Sequence, residues 1–202
     1  MTIVLVRHGE TAGNAGRVLQ KPDIPLNERG SQQAELVAAR IAELGCVHIL
    51  CSHLTRAKMT AEPLSVRTGL AIEESELLQE RNFGDLRGTP YAELTTSPFA
   101  PDFRPPNGED WPMFYERVAQ AFELMIARRR ALGGTLVVVT HGLVVRAIAS
   151  RHLAGTTLAI PDQFENTSLT IFETEPPHAA SLINCSRHLG DALKAGASAG
   201  AV

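Results

Sequence analysis

Two histidine–glycine pairs, His8-Gly9 and His141-Gly142, each follow a run of apolar, largely β-branched residues: Ile3-Val4-Leu5-Val6 and Leu136-Val137-Val138-Val139-Thr140. Such runs, bounded by turn-forming residues, read as buried strands. Open α/β sheets gather their ligands at strand carboxyl ends, which is where both histidines would stand. Arg7 precedes His8, and Arg56 lies near the start of a predicted helix. If Arg7, His8, Arg56 and His141 converge, they suit a compact, doubly charged anion. The planar guanidinium fork matches phosphate oxygens in a way a lysine point charge does not. A helix starting at Gly142 adds backbone N–H groups and the positive end of its dipole, and Asn14 adds a neutral donor.

Binding alone does not require His8 beside Arg7. A nucleophilic imidazole must be unprotonated, and adjacent positive charge lowers its pKa. In-line attack by His8 on a phosphoryl group would give a phosphohistidine and split a slow hydrolysis into two easier steps. The leaving alkoxide needs a proton, and Glu80, in Leu78-Gln79-Glu80-Arg81-Asn82-Phe83-Gly84, is the best placed donor. Neighbouring arginines should hold its carboxyl low until a bound phosphate dianion neutralises them, so Glu80 is expected to become an acid mainly in the substrate complex.

The elements that must position these groups follow from patterning. Asn27 caps a helix reaching about Leu44, with Leu36, Val37, Ile41 and Leu44 as its apolar stripe. Residues 47–51 form a second strand, and a third helix carries Arg56, Thr60 and Leu64 to its end at Gly69. A short strand is expected at 70–72. Residues 73–112, rich in Gly, Pro and acids, lack a sustained period and read as an excursion over the site, with a short helix near 91–94. Asp110 caps a long helix packing through Phe114, Val118, Phe122, Met125 and Ile126, whose Arg128-Arg129-Arg130 end reads as a solvated terminus. A helix at 142–154 and strands at 168–172 and 180–184 complete a single domain over 1–189. The Ala/Gly-rich residues 190–202 are expected to be a disordered tail. The loop at 10–25 shows no clear period.

Composition excludes several classes. A net charge of −3 over 202 residues gives no support for a nucleic-acid surface. Three cysteines without C-x-x-C spacing argue against a disulfide framework. No signal peptide and no membrane-spanning run is visible, so no membrane partner and a reduced, cytoplasmic setting are expected. His48, His53, His152, His178 and His188 lack zinc spacing and read as structural or surface residues. Ser52 lies in no G-x-S-x-G elbow and so suggests no serine triad. The sequence fits a monomer and a homodimer equally.

The residues together resemble the histidine phosphatase superfamily, also called the phosphoglycerate mutase-like family. The resemblance rests on Arg7-His8-Gly9-Glu10-Thr11 with Asn14, Ser52-x-Leu54-x-Arg56-Ala57 running to Thr60-Ala61, Leu78-x-Glu80 with Gly84 and Gly88, Gly108-Glu109, and Thr140-His141-Gly142. Asp23-Ile24-Pro25-Leu26 with Gly30 and Gln33-Ala34 also fits, and the matches run in family order from Ile3 to Arg146. The resemblance implies a three-layer α/β/α sandwich with a mainly parallel sheet. It implies a nucleophile at His8, phosphate ligands at Arg7, Arg56 and His141, an acid/base at Glu80, and neither metal nor cofactor. Asn14, Gln20, Gly142 and Arg81 are expected to meet the substrate, although Arg81 could equally pair with an acidic neighbour. Leu143, Arg87 and Asp110 depart from the family pattern; the first two bear on specificity.

The implied activity is hydrolysis of a small phosphorylated metabolite. The alternative is a 2,3-bisphosphoglycerate-dependent phosphoglycerate mutase. Such a mutase needs extra basic residues in the lid, and between Glu80 and Pro112 only Arg81, Arg87 and Arg104 stand against Asp85, Glu93, Asp102, Glu109 and Asp110. Phosphatase is therefore favoured. A phospho-ligand-binding module without turnover is disfavoured by the intact His8 and Glu80.

Overall fold

The computed structural model describes residues 2–194. Its centre is a six-stranded sheet of order β3-β2-β4-β1-β5-β6. The strands are β1 (Thr2–Arg7), β2 (Cys46–Ser52), β3 (Ile72–Ser75), β4 (Thr135–Thr140), β5 (Leu169–Glu173) and β6 (Ala180–Cys185). β1, β2, β3 and β4 are parallel, and β5 and β6 extend the sheet antiparallel.

Burial on both faces explains why the central strands read as continuous apolar runs. Ile3, Leu5, Leu50, Leu136 and Val138 face one core, packed by α4 (Trp111–Leu132) and α5 (Gly142–His152) through Phe114, Val118, Met125 and Ile148. Val4, Val6, Ile49, Val137 and Val139 face the other, covered by α2 (Glu28–Ala42) and α3 (Thr55–Thr68) through Val37, Ile41, Ala57 and Leu64. The α/β/α sandwich expected from the resemblance is the one observed.

Several local expectations need correction. Leu36 and Leu44 are exposed; the buried stripe of α2 is Ala34, Val37, Ala38 and Ile41, the true i, i+3, i+4, i+7 face. The 10–25 loop contains a short helix, α1 (Ala12–Ala15), closed by a reciprocal Thr11–Asn14 capping box. The excursion begins with the edge strand β3, too short and too exposed to show alternation. Beyond β3 it is built of loops and single 3-10 turns, one of them at Tyr91–Glu93. Arg129 is buried rather than solvated, its Nε donating to Thr2 O at 3.3 Å. The tail expected from residue 190 begins instead with a short helix, α6 (Gly190–Lys194), against which Gln33 Nε2 donates to Leu193 O at 3.1 Å. The remainder of that stretch, 195–202, lies outside the described residues.

No helix among the described residues is long and apolar enough to cross a membrane. Cys46, Cys51 and Cys185 are all free thiols.

Candidate active site

Adjacent parallel strands bring the two histidines together. Arg7 is in register with Thr140, so His8 and His141 leave neighbouring strand ends side by side. His8 N–H donates to Thr140 O at 2.9 Å, and the two imidazole rings lie 5.1 Å apart.

The backbone around His8 is held from three directions. Gly9 N–H donates to Thr60 Oγ1 of α3 at 3.0 Å, Glu10 N–H to Gln33 Oε1 of α2 at 2.9 Å, and Asn166 Nδ2 to His8 O at 2.9 Å. Gly9 is needed for close approach, since a Cβ there would lie 2.6 Å from Gly30 O. His8 Nδ1 sits 2.7 Å from Gly9 O. A carbonyl only accepts, so Nδ1 carries the proton and the Nε2 lone pair is left for chemistry. Burial holds His8 well below the usual imidazole pKa, and the charges of Arg56 and Arg7 add to this. The sequence suggested the arginines as the cause; desolvation is the larger one.

Among the described residues, Arg7, Arg56 and His141 each leave a buried nitrogen without a partner: Arg7 Nε, Arg56 Nε and His141 Nδ1. The other contacts of these groups fix their aim. An Arg7 terminal nitrogen donates to Phe164 O, Arg56 to Lys21 O at 3.2 Å, and His141 Nε2 meets Ser52 Oγ at 2.9 Å. Burial pulls Arg56 down to about 10, against the charge of Glu80 and with that of Arg7 and Arg87, so it remains a cation at neutral pH. Gly142 packs over the Arg7 guanidinium, where a Cβ would lie 3.4 Å from Nε. Concentrated positive charge with unpartnered nitrogens is the arrangement an anion with several acceptor oxygens satisfies.

Glu80 reaches the site from the excursion and is fixed by two backbone donors. Arg81 N–H donates to Oε1 at 2.9 Å, and Leu143 N–H, in the first turn of α5, donates to Oε2 at 3.3 Å. Burial raises its pKa above the usual carboxylate range, opposed by the Arg81 hydrogen bond, the Arg56 charge, the Leu143 hydrogen bond and the Arg7 charge. This corrects the expectation that the arginines would dominate: desolvation already favours the protonated acid before any anion binds.

Asn14 and Gln20 line the cleft. Asn14 Oδ1 accepts from Thr11 N–H at 3.2 Å and lies 3.4 Å from Asn166 Nδ2, which turns its amide N–H₂ toward the remaining space. Gln20 Oε1 is 2.8 Å from Thr11 Oγ1.

Arg81 lines the cleft, but its nitrogens bond backbone carbonyls rather than an acidic side chain or the open space. Its Nε donates to Glu109 O at 3.0 Å and its terminal nitrogens to Pro98 O at 3.0 Å and Phe103 O at 2.8 Å. Its guanidinium also stacks 3.9 Å from the Trp111 ring centroid. All three nitrogens are hydrogen-bonded to the excursion's own backbone, so Arg81 braces the excursion while its side chain also lines the cleft. Trp111 serves the same packing and donates Nε1–H to Ala100 O at 2.7 Å.

Three contributors were not singled out from sequence as site residues. Arg117 grips Glu109 through Nε at 2.6 Å and a terminal nitrogen at 2.7 Å, and donates to Leu77 O and Gln79 O at 2.8 Å. Asn166 orients both His8 O and Asn14. Ser52 contacts His141. The available signals were weak: a polar Asn166-Thr167-Ser168 run before β5, and a serine ending β2. Arg117 had none, since arginines on helices are usually solvated. His48 bonds Glu73 at 2.7 Å and His152 stacks 4.5 Å from Phe122, outside this site. Among the described residues no group of three or more His, Cys, Asp or Glu is placed to hold a metal ion.

The cleft encloses about 580 Å³. Beyond the cationic floor its wall includes Leu54, Phe83, Tyr91, Phe99, Leu143 and Phe164. Arg17, Arg87 and Arg146 stand at the rim, the last paired with Asp162 at 3.2 Å.

The family model described as histidine phosphatase superfamily (branch 1) matches residues 3–184. The chain is 34% identical over 185 residues to phosphoglycerate mutase-like protein 4 of Arabidopsis thaliana, covering 84% of this chain and 78% of that protein. It is 35% identical over 160 residues to a protein of Escherichia coli named "Probable phosphoglycerate mutase GpmB", covering 74% of each. Among solved structures, a mycobacterial glucosyl-3-phosphoglycerate phosphatase in complex with VO3 superposes with a TM-score of 0.76 at 25% identity, covering 91% of this chain and 98% of that one.

Proposed function

This chain belongs to the histidine phosphatase superfamily, and we propose that it is a metal-independent phosphomonoester hydrolase working through a phosphohistidine at His8. The observation that carries the reading is the convergence of a neutral, oriented His8 with three buried nitrogens lacking partners, on Arg7, Arg56 and His141.

In the first step the His8 Nε2 lone pair attacks phosphorus in line with the ester oxygen. The P–O bond breaks, its electron pair stays on the leaving oxygen, and the protonated Glu80 delivers a proton there. Arg7, Arg56 and His141 stabilise the transferring oxygens, where preorganised charge contributes most. In the second step the Glu80 carboxylate takes a proton from a water attacking phosphorus. The P–N bond breaks, its electron pair returns to His8, and inorganic phosphate leaves. Each Glu80 oxygen accepts one backbone N–H, which keeps a lone pair free for the travelling proton.

The alternative, phosphoglycerate mutation, draws on the names of the curated relatives. The excursion supports hydrolysis. Of its three arginines, Arg81 and Arg87 line the cleft, but the guanidinium of Arg81 is committed to three carbonyls, and Arg104 is exposed and not part of the cleft wall. A cleft of about 580 Å³ with aromatic walls also has room for an alcohol larger than a glycerate. Glucosyl-3-phosphoglycerate is a reasonable member of a substrate panel on this ground.

The test is metal-free incubation with 4-nitrophenyl phosphate, 3-phosphoglycerate and sugar phosphates, with and without 2,3-bisphosphoglycerate, following phosphate and 2-phosphoglycerate. Phosphate release abolished in His8→Ala is expected. Bisphosphoglycerate-stimulated isomerisation with little phosphate release would make the protein a mutase.

A further inference from the structure

One residue beside the site has no part in the reaction as written. Ser52 ends β2, His141 follows β4, and these strands are neighbours in the sheet. Both side chains are completely buried. Ser52 Oγ lies 2.9 Å from His141 Nε2 and accepts Leu54 N–H at 3.3 Å. The contact with the imidazole can run either way: the hydroxyl hydrogen donates to a bare Nε2, or the second serine lone pair accepts an Nε2–H.

His141 Nδ1 is buried and has no partner among the described residues. Burial, together with the positive surroundings of Arg56, His8, Arg117 and Arg7, holds the ring well below its usual pKa. A neutral imidazole has a single N–H, so its position decides what the ring offers an anion. With the proton on Nε2, Nδ1 would turn a lone pair on the phosphoryl oxygens and repel them. With the proton on Nδ1, the ring donates to them and Nε2 accepts from the serine.

We propose that Ser52 is a positioning residue: its hydroxyl donates to His141 Nε2 and thereby places the ring proton on Nδ1, facing the transferring phosphoryl group. The proposal rests on the phosphoryl-transfer reading above. It explains how a histidine too desolvated to be a cation still acts as a donor. Leu54 N–H, by occupying one serine lone pair, favours the rotamer in which the hydroxyl hydrogen points at the ring.

The test is ¹⁵N–¹H correlation spectroscopy of the histidine rings in the whole protein with inorganic phosphate, with His141 assigned through His141→Gln. Wild type is expected to show the Nδ1-protonated tautomer. Ser52→Ala should lose that preference, bind phosphate more weakly, and lose on the order of 10²-fold in kcat/KM for 4-nitrophenyl phosphate, as for removal of one preorganised donor. Ser52→Thr, which keeps the hydroxyl, should retain both properties, whereas Ser52→Cys, nearly unchanged in size, should follow Ala. An Nε2-protonated His141 in phosphate-bound wild type would overturn the proposal, as would a folded Ser52→Ala with unchanged tautomer and kcat/KM. If wild type hydrolyses no phosphomonoester, the functional reading fails while the phosphate-bound spectrum still decides the tautomer.

Discussion

The two halves of the site are built in different ways. The floor, with Arg7, His8 and His141, hangs on two adjacent central strands whose side chains fill both cores. The roof, with Glu80, comes from a segment lacking long regular elements, anchored in the core by Leu78 and otherwise held by polar ties. Those ties are Thr140 Oγ1 to Leu78 O at 2.7 Å, Arg117 to the carbonyls of Leu77 and Gln79 and to Glu109, and Arg81 to three further carbonyls. Gly84 belongs to this construction. At φ +54 it adopts a left-handed conformation, and a Cβ there would collide with Pro106 O. The difference teaches that the proposed nucleophile and anion cradle are positioned mainly by the sheet, whereas the proposed acid depends on side-chain ties to the excursion.

The sharpest break in the comparison is His8→Ala, which removes the proposed nucleophile while leaving the sheet intact. Turnover of any phosphomonoester should fall on the order of 10⁴-fold or more, with the melting temperature little changed. Glu80→Gln should cost about 10²–10³-fold with alkyl phosphates. In kcat/KM, which reports the first phosphoryl transfer, the loss should be much smaller with 4-nitrophenyl phosphate, whose leaving group needs no proton. Equal losses in kcat/KM on both substrates would remove Glu80 from the acid role.

The pH profile carries the same division. His8 is depressed, so the nucleophile stays neutral well below pH 6.5; Glu80 is raised, so the acid stays protonated above its usual 4.5. Activity should therefore rise through the lower limb as His8 deprotonates and fall through the upper limb as Glu80 does. The second ionisation of the substrate phosphate, near about 6, is superimposed on this. In Glu80→Gln the upper limb assigned to the enzyme should disappear.

A smaller effect is expected one step back from the chemistry. Arg117→Met leaves the largely buried Glu109 carboxylate without its cation, with Asn82 N–H as a remaining donor, and frees the carbonyls of Leu77, Gln79 and Glu80, costing roughly 2–4 kcal/mol of stability, measurable by urea denaturation. Its kcat/KM loss should follow that of Glu80→Gln, larger for alkyl phosphates than for 4-nitrophenyl phosphate, because Arg117 acts by placing the acid. A uniform loss across substrates would mean that it supports the floor as well. Arg67→Ala serves as the lower bound. It removes an exposed ion pair with Glu35 at 2.8 Å, and stability should change by less than about 0.5 kcal/mol with activity unaltered.

The same contrast governs what could be read from the chain. His8 and His141 were legible because each follows an unbroken apolar strand, a signal contained in about six residues. The α4 face through Phe114, Val118, Phe122 and Met125 was legible from its helical period, and all four are buried. Arg81 was not, because its position beside Glu80 is equally compatible with the cleft and with the carbonyls of Pro98, Phe103 and Glu109. Only the folded path of the excursion decides between them. Ser52 and His141 are 89 residues apart, and their contact depends on β4 inserting between β2 and β1, which no local pattern encodes. The sign of the Glu80 shift was misread for a related reason: charges are visible in a sequence, whereas the depth of burial that outweighs them is not.

The central claim is tested most directly by trapping the intermediate. Rapid mixing with 4-nitrophenyl phosphate, an alkaline quench that preserves phosphoramidates, and peptide mass spectrometry should locate the phosphoryl group. A phosphoryl group on His8, formed and consumed at rates compatible with turnover and absent from His8→Ala, is the predicted result. Sustained phosphate release with no phosphoenzyme, or a phosphoryl group on any other residue, would contradict it.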